Sequence, residues 1–415
     1  MSAAPELLAA PDRAPSGADA LAGVRLVHVT TVASSFTFLQ GQVRLLRERG
    51  VQVSLVSSPD GDLDAFAAKL GVPAHGVEMP RRITPLQDLG AVLRLRRHLR
   101  ALRPDVVHAH TPKGGLLGML GAWLAGVPVR VYHMRGLPLM GAQGVRRRLL
   151  WCTERVSCAL AHRVICVSHS LRDVALREGL CPPERITVVA GGSGQGVDAG
   201  GRFDPQRLEP GTREAVRARM GIPADAVLAG FVGRLVRDKG VVELYEAWRA
   251  LRERIPALHL LLVGPFESED PVPPEVRRGF EEDPRVHLSG MDWNTPPYYA
   301  AMDLLVLPTY REGFPNVPLE AAAMGLPVVA TRIPGCVDAV DDGRTGTLVP
   351  ARDAAALAEA IRGYAEDPDL RRAHGQAGRA RVEAQFRQEV VWEGIFAEYA
   401  RLLGPRLPAG GAGAP

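Results

Sequence analysis

A chain of 415 residues, 46% hydrophobic and 23% charged, carries enough apolar material for two ordinary cores. No apolar run approaches the roughly 18 to 20 residues that span a bilayer, and the first twenty residues lack the basic start and apolar stretch of an export signal, so the expectation is a soluble, cytoplasmic protein. Five cysteines without C-x-x-C spacing or a His cluster argue against a zinc site and a disulfide framework, and the few aromatics (5%) do not interleave with the arginines as a nucleic-acid platform requires.

Residues 1–22 and 405–415, rich in Ala, Gly and Pro, read as disordered tails. Between them strand and helix signals alternate. Strands are expected at 24–29, 51–56, 106–110, 129–132, 163–167 and 186–189, with helices at 40–49 and 115–125 and an arginine-rich amphipathic helix before 106. The Gly-dense stretch 191–210 interrupts the pattern and marks a junction. A second series has strands at 226–232, 258–263, 285–288, 304–307, 327–331 and 346–349, and a terminal helix at 390–403. Continuous apolar strands separated by helices predict parallel sheets covered on both faces. Two doubly wound domains are expected at 23–195 and 226–389, joined by 196–225, with the helix 390–404 available to pack back on the first.

The net charge of +4 hides an asymmetry: residues 1–200 carry about +9 and the rest about −5. The basic clusters are Arg94, Arg96, Arg97, Arg100 and Arg103, and Arg146, Arg147 and Arg148 followed by Leu149, Leu150 and Trp151. A solvated helix face is the plain reading; docking on an anionic membrane surface or a phosphorylated acceptor is the other. Lysine is rare, limited to Lys69, Lys113 and Lys239.

Lys239 closes the run Gly233, Arg234, Leu235, Val236, Arg237, Asp238, Lys239, Gly240 between a buried strand and the helix from about Val241. A strand, a glycine turn and a helix start form an anion site, to which Arg234 and Lys239 add two cations. A second run, Glu312, Gly313, Phe314, Pro315, Asn316, Val317, Pro318, Leu319, Glu320, leads from a strand into a helix; Asn316 is positioned to cap it and Pro318 suits its first turn. Its two carboxylates can each accept sugar hydroxyls, although a first-turn Glu also stabilises its own helix. The D-x-D patterns Asp62/Asp64 and Asp367/Asp369 sit among turn residues, and neither predicts a metal site. Cys152, Cys158 and Cys166 read as small buried apolar residues, and His28 and His108 as structural.

G-R-x4-K-G followed by E-G-F-P-x3-L-E resembles glycosyltransferase family 4, retaining enzymes of the GT-B fold with two Rossmann-like domains and a cleft between them. The segment from His108 to Gly115 (H-A-H-T-P-K-G-G) is similar to a subgroup that builds bacterial capsule, exopolysaccharide and lipid-linked glycans. The resemblance implies that Arg234 and Lys239 neutralise the diphosphate of a nucleotide-sugar donor, that Glu320 holds the ribose hydroxyls, and that Glu312 contacts the donor sugar. It further implies phosphate or sugar binding by the backbone of Phe314, Pro315, Asn316 and Val317 beside Gly313, and a base lying against Gly290 and Met291. A front-face transfer that retains configuration follows, with no metal and no cofactor.

Two departures matter. The loop after the first strand, Thr30 to Thr37, lacks the paired glycines of relatives, and the loop after 129–132 reads His133, Met134, Arg135, Gly136 where relatives place a His before the glycine. Either Arg135 or His133 serves that role. His110, with Thr111 and Lys113 in the following loop, fits a structural histidine and an acceptor contact equally well. The expected reaction moves a hexose or N-acetylhexosamine from a UDP-sugar to a glycan or lipid-linked acceptor, at the inner face of the membrane if the basic half docks there. A natural-product glycosyltransferase, a nucleotide-sugar 2-epimerase of the same fold and a silent nucleotide-sugar-binding subunit are the alternatives.

Overall fold

The computed structural model describes residues 20–80, 82 and 84–404, so the two predicted tails fall almost wholly outside the described residues. The first sheet contains β1 (Arg25–Val29), β2 (Gln52–Ser57), β3 (Ala74–Gly76), β4 (Val106–His110), β5 (Val129–Met134), β6 (Arg163–Cys166) and β7 (Ile186–Val188), in the order β3-β2-β1-β4-β5-β6-β7. The second contains β8 (Val227–Val232), β9 (Leu258–Val263), β10 (Val286–Gly290), β11 (Leu304–Leu307), β12 (Val328–Thr331) and β13 (Gly346–Val349), in the order β10-β9-β8-β11-β12-β13. Pairing is parallel, as between β1 and β4 and between β8 and β11, and strands such as β4, β9 and β11 are buried along their whole length. These are the continuous apolar runs of the sequence, covered by helices on both faces. Each sheet reverses its strand order once, at β1/β4 and at β8/β11, and such switch points open a crevice at the strands' carboxyl ends.

Three elements depart from the sequence-based expectation. The edge strand β3 is three residues long, the loop after β1 winds into a 3-10 helix at Ala33–Leu39, and the connecting stretch carries a helix at Thr212–Met220. The two D-x-D patterns are not turns. Asp62 and Asp64 lie in the first turn of the helix Gly61–Leu70, while Asp367 caps the helix Pro368–Gln385 by accepting the Leu370 N–H and Asp369 pairs with Arg372. Both pairs thus serve helix starts, where carboxylates are favoured by free N–H groups and the dipole. Cys158 and Cys166 are buried as expected, but Cys152 is exposed.

The chain divides into two compact units, 1–109 with 117–131 and 392–415, and 110–116 with 132–391. In the first, the end of the terminal helix Gln388–Leu403 is pinned by Tyr399, whose hydroxyl accepts the Gln42 amide at 3.2 Å and lies 2.5 Å from His108 Nδ1. Gly41 leaves room there for the Trp392 ring, to which a Cβ would approach within 1.9 Å. In the second unit a single apolar cluster runs from Val197 to Phe386 through all six strands β8–β13.

Candidate active site

The two chemistry-bearing runs follow β8 and β11, the adjacent strands at the switch point of the second sheet. Gly233 leaves β8 with φ 146°, and the ideal Cβ position of Gly264, after β9, lies 2.0 Å from the Gly233 carbonyl. Two strand ends are pressed together here, which only glycine permits. The chain then passes a 3-10 turn at Arg237–Lys239 and reaches Gly240, whose φ is 70° and whose Cβ would fall 1.9 Å from the Pro308 carbonyl. That close approach fastens the β8 loop to the β11 loop: the Asp238 carbonyl accepts the Tyr310 N–H at 2.9 Å and the Thr309 hydroxyl at 3.2 Å.

The clamp brings Lys239 into an ion pair with Glu312, both largely shielded from solvent. Arg234, more exposed, pairs with Glu267 at 3.0 Å. Lys239 and Glu312 are thus in direct contact, while Arg234 is held by Glu267. Glu320, one turn into the helix Asn316–Ala323, accepts the Tyr299 hydroxyl at 2.8 Å. Burial pushes the Glu320 carboxyl up, against the Tyr299 hydrogen bond and the Arg202 charge, and burial holds the Tyr299 hydroxyl far above its ordinary range. Tyr299 fixes one carboxylate oxygen and leaves the other to accept.

Asn316 does not cap its helix. Pro315 occupies the N-cap position without any side-chain cap, and Asn316 instead accepts the Ser193 hydroxyl through Oδ1 at 3.2 Å. An uncapped helix start keeps N–H groups for an anion. The preceding loop is held from outside by Ser168, whose hydroxyl donates to the Gly313 carbonyl at 2.8 Å, and Gly313 itself touches the Arg135 backbone, where a Cβ would fall 2.0 Å from the carbonyl oxygen. Phe314 packs on Phe386 and against Gly192.

Of the residues from the first sheet, Arg135 donates through Nε to His110 Nδ1 at 3.4 Å and through a terminal nitrogen to the Gly194 carbonyl, also at 3.4 Å. His133 is buried with its ring 5.4 Å from that of His110. Thr111 takes a left-handed φ of 66°, and Lys113 lies in the first turn of the helix Pro112–Ala125. Arg135 and His110 thus join the loop of Gly313, with His133 behind them. At the end of β10, Gly290 (φ 69°) accepts the Gly264 N–H through its carbonyl at 2.9 Å, and Met291 and Trp293 stand exposed beyond it. Sequence reasoning did not single out Tyr299, Ser168, Ser193, Glu267 or Trp293. The first four act through partners distant in the chain, so no local spacing announces them.

Family comparisons match the two halves separately: residues 226–367 match the model described as "Glycosyl transferases group 1", and 37–192 the "Glycosyl transferase 4-like domain". The capsular polysaccharide biosynthesis glycosyltransferase CapM of Staphylococcus aureus is 31% identical over 379 residues, 91% of this chain and 97% of that protein. An Escherichia coli UDP-Gal:alpha-D-GlcNAc-diphosphoundecaprenol alpha-1,3-galactosyltransferase is 26% identical over 79% of this chain and 84% of its own length. Among solved structures, Anabaena Alr3699/HepE in complex with UDP superposes with a TM-score of 0.75 at 21% identity, covering 91% of this chain and 99% of that one.

Proposed function

For a chain that belongs to the group 1 glycosyl transferases, we infer a donor, an acceptor and a mechanism. The donor is a UDP-sugar carrying a hexose or N-acetylhexosamine, the acceptor a hydroxyl of a glycan or lipid-linked glycan, and the transfer proceeds with retention. What carries this reading is the contact of Lys239 with Glu312 across the switch point of the second sheet, beside an uncapped helix start.

Arg234 and Lys239 take the diphosphate together with the N–H groups at Asn316 and Val317; Glu312 turns to the donor sugar, Glu320 to the ribose, and Gly290 and Met291 to the base. Ion pairs with Glu267 and Glu312 hold the cations in place, so little reorganisation is needed when the leaving diphosphate gains charge. Interactions of this kind act on the transition state more than on the bound ground state. The departing phosphate oxygen accepts the proton of the attacking hydroxyl on the same face as the leaving group, which makes a carboxylate nucleophile unnecessary. Arg135, a permanent cation within reach of His110, is the better candidate than buried His133 for the role of the loop histidine of relatives.

Two helices support membrane contact. Val145, Leu149 and Val156 form an exposed apolar stripe on the helix Gly144–Leu160, flanked by exposed Arg146 and Arg148. In the other unit, Leu86, Leu89 and Leu93 are exposed on the helix Pro85–Leu102, whose later turns expose Arg94, Arg97 and Arg100. Apolar and cationic surface side by side suits the inner face of an anionic bilayer. No helix among the described residues is long and apolar enough to cross a membrane.

Purified protein assayed with UDP-sugars and a lipid-linked or soluble acceptor should release UDP only when the acceptor is present. Conversion of the donor alone would favour the epimerase alternative, and no turnover with any donor, while Glu312→Ala binds UDP unchanged, would defeat the reading.

A further inference from the structure

Beside the Lys239–Glu312 pair, and within the second unit, lies a cavity of about 560 Å³ that the donor reading engages through Arg234 alone. Neither Lys239, Glu312 nor Glu320 lines it, although Asp238 and Arg311, the chain neighbours of the first two, do. Its walls bring the start of the helix Gly144–Leu160, through Arg146, to the loops after β8, β11 and β13, through Arg234, Arg311 and Arg352. Four guanidinium groups thus face three carboxylates, those of Asp238, Glu269 and Asp270.

Two of those carboxylates are committed internally. Asp238 pairs with Arg311 at 2.8 Å, and Asp270 accepts the Asp238 N–H at 2.7 Å. Arg352 has no carboxylate partner among the described residues and stacks 4.6 Å over the ring of Tyr310, whose hydroxyl donates to Glu243. Arg146 is exposed and likewise has no carboxylate partner among the described residues. The backbone is also unusual here: of the six non-glycine residues with left-handed φ among the described residues, Asp270 (61°) and Arg352 (62°) both line this cavity. Such conformations cost free energy and persist where the surroundings impose them, often at ligand sites.

We propose that this cavity is an acceptor subsite for a phosphate or diphosphate group, held by Arg146, Arg311 and Arg352 while the acceptor hydroxyl reaches the donor sugar beside Glu312. Planar guanidinium groups match phosphate oxygens in pairs, and an arginine stacked on a ring is already ordered for that contact. The proposal deepens the sugar-transfer reading and rests on it.

The test is calorimetric titration of inorganic pyrophosphate into the full-length protein already saturated with UDP, so that the donor site is filled. A second saturable binding event is expected, weakened about tenfold in Arg146→Gln/Arg352→Gln, with UDP affinity unchanged. Arg146→Gln alone alters only an exposed side chain and should give a smaller loss in the same direction. No binding to the UDP-saturated protein, or undiminished binding in the double variant, overturns the proposal. Competition against pyrophosphate by a water-soluble sugar phosphate and by a short-chain lipid diphosphate sugar in detergent separates a free phosphosugar from a lipid-borne one; displacement by neither also overturns it. Failure of UDP itself to bind would defeat the donor reading, and this proposal with it.

Discussion

Lys239 and Glu312 are individually ordinary residues whose importance comes from facing each other. Removing the ammonium leaves Glu312 in a shielded site without its cation and, on the proposed reading, leaves a departing diphosphate with one positive group fewer. Lys239→Ala should therefore lower kcat by about a hundredfold or more, on the order of 3 to 4 kcal/mol of barrier, as read from steady-state UDP release. Arginine at the same place keeps the charge but not the compact geometry, so Lys239→Arg should recover only part of the loss.

A second residue-scale prediction concerns stability. Glu154 is buried against Tyr132, whose hydroxyl donates to it at 2.8 Å, and burial pushes its carboxyl up to about 7 from an ordinary value of 4.5. The unfolded chain gives up this proton at lower pH than the folded chain does. Stability should consequently fall as pH rises from about 4.5 to about 7, by roughly 3 kcal/mol, and level off above. Denaturant titrations across that range check the slope, which Glu154→Gln should flatten; an unchanged slope would show that Glu154 titrates normally.

Between elements, close backbone approach decides more than any side chain. Gly240→Ala would place a Cβ against the Pro308 carbonyl in a left-handed backbone, parting the β8 and β11 loops that align Lys239 with Glu312. The expected result is a loss of about 1 to 3 kcal/mol in denaturant unfolding together with reduced turnover. Ala in place of Gly343, which has a similar φ of 73° but open space around its Cβ position, should cost less and spare activity. At the same scale, replacing exposed Leu86, Leu89 and Leu93 by Ser should weaken sedimentation with anionic vesicles without altering UDP binding; equal sedimentation would remove that helix from the membrane account.

Over the whole molecule, much of the fold could be read in advance because its strands are buried on both faces. Runs such as Leu258–Val263 and Leu304–Leu307 leave little doubt about period or direction. The edge strand Ala74–Gly76 could not be read, since three residues with little burial carry no pattern and owe their conformation to β2. The runs after β8 and β11 stood out for a different reason, as glycine and charge at a strand end have local causes. Their supports did not: Tyr299 meets Glu320 from 21 residues away, and Ser168 reaches Gly313 across 145. Asn316 illustrates the limit, being a good cap by type that tertiary contact with Ser193 diverts.

All of this depends on a diphosphate being gripped by Arg234 and Lys239. The most direct measurement compares UDP with UMP binding in the wild-type protein and in Arg234→Ala/Lys239→Ala. The account predicts a strong preference for UDP in the wild type that collapses in the variant, with UMP affinity little changed. A preference for UDP that survives loss of both cations would contradict it.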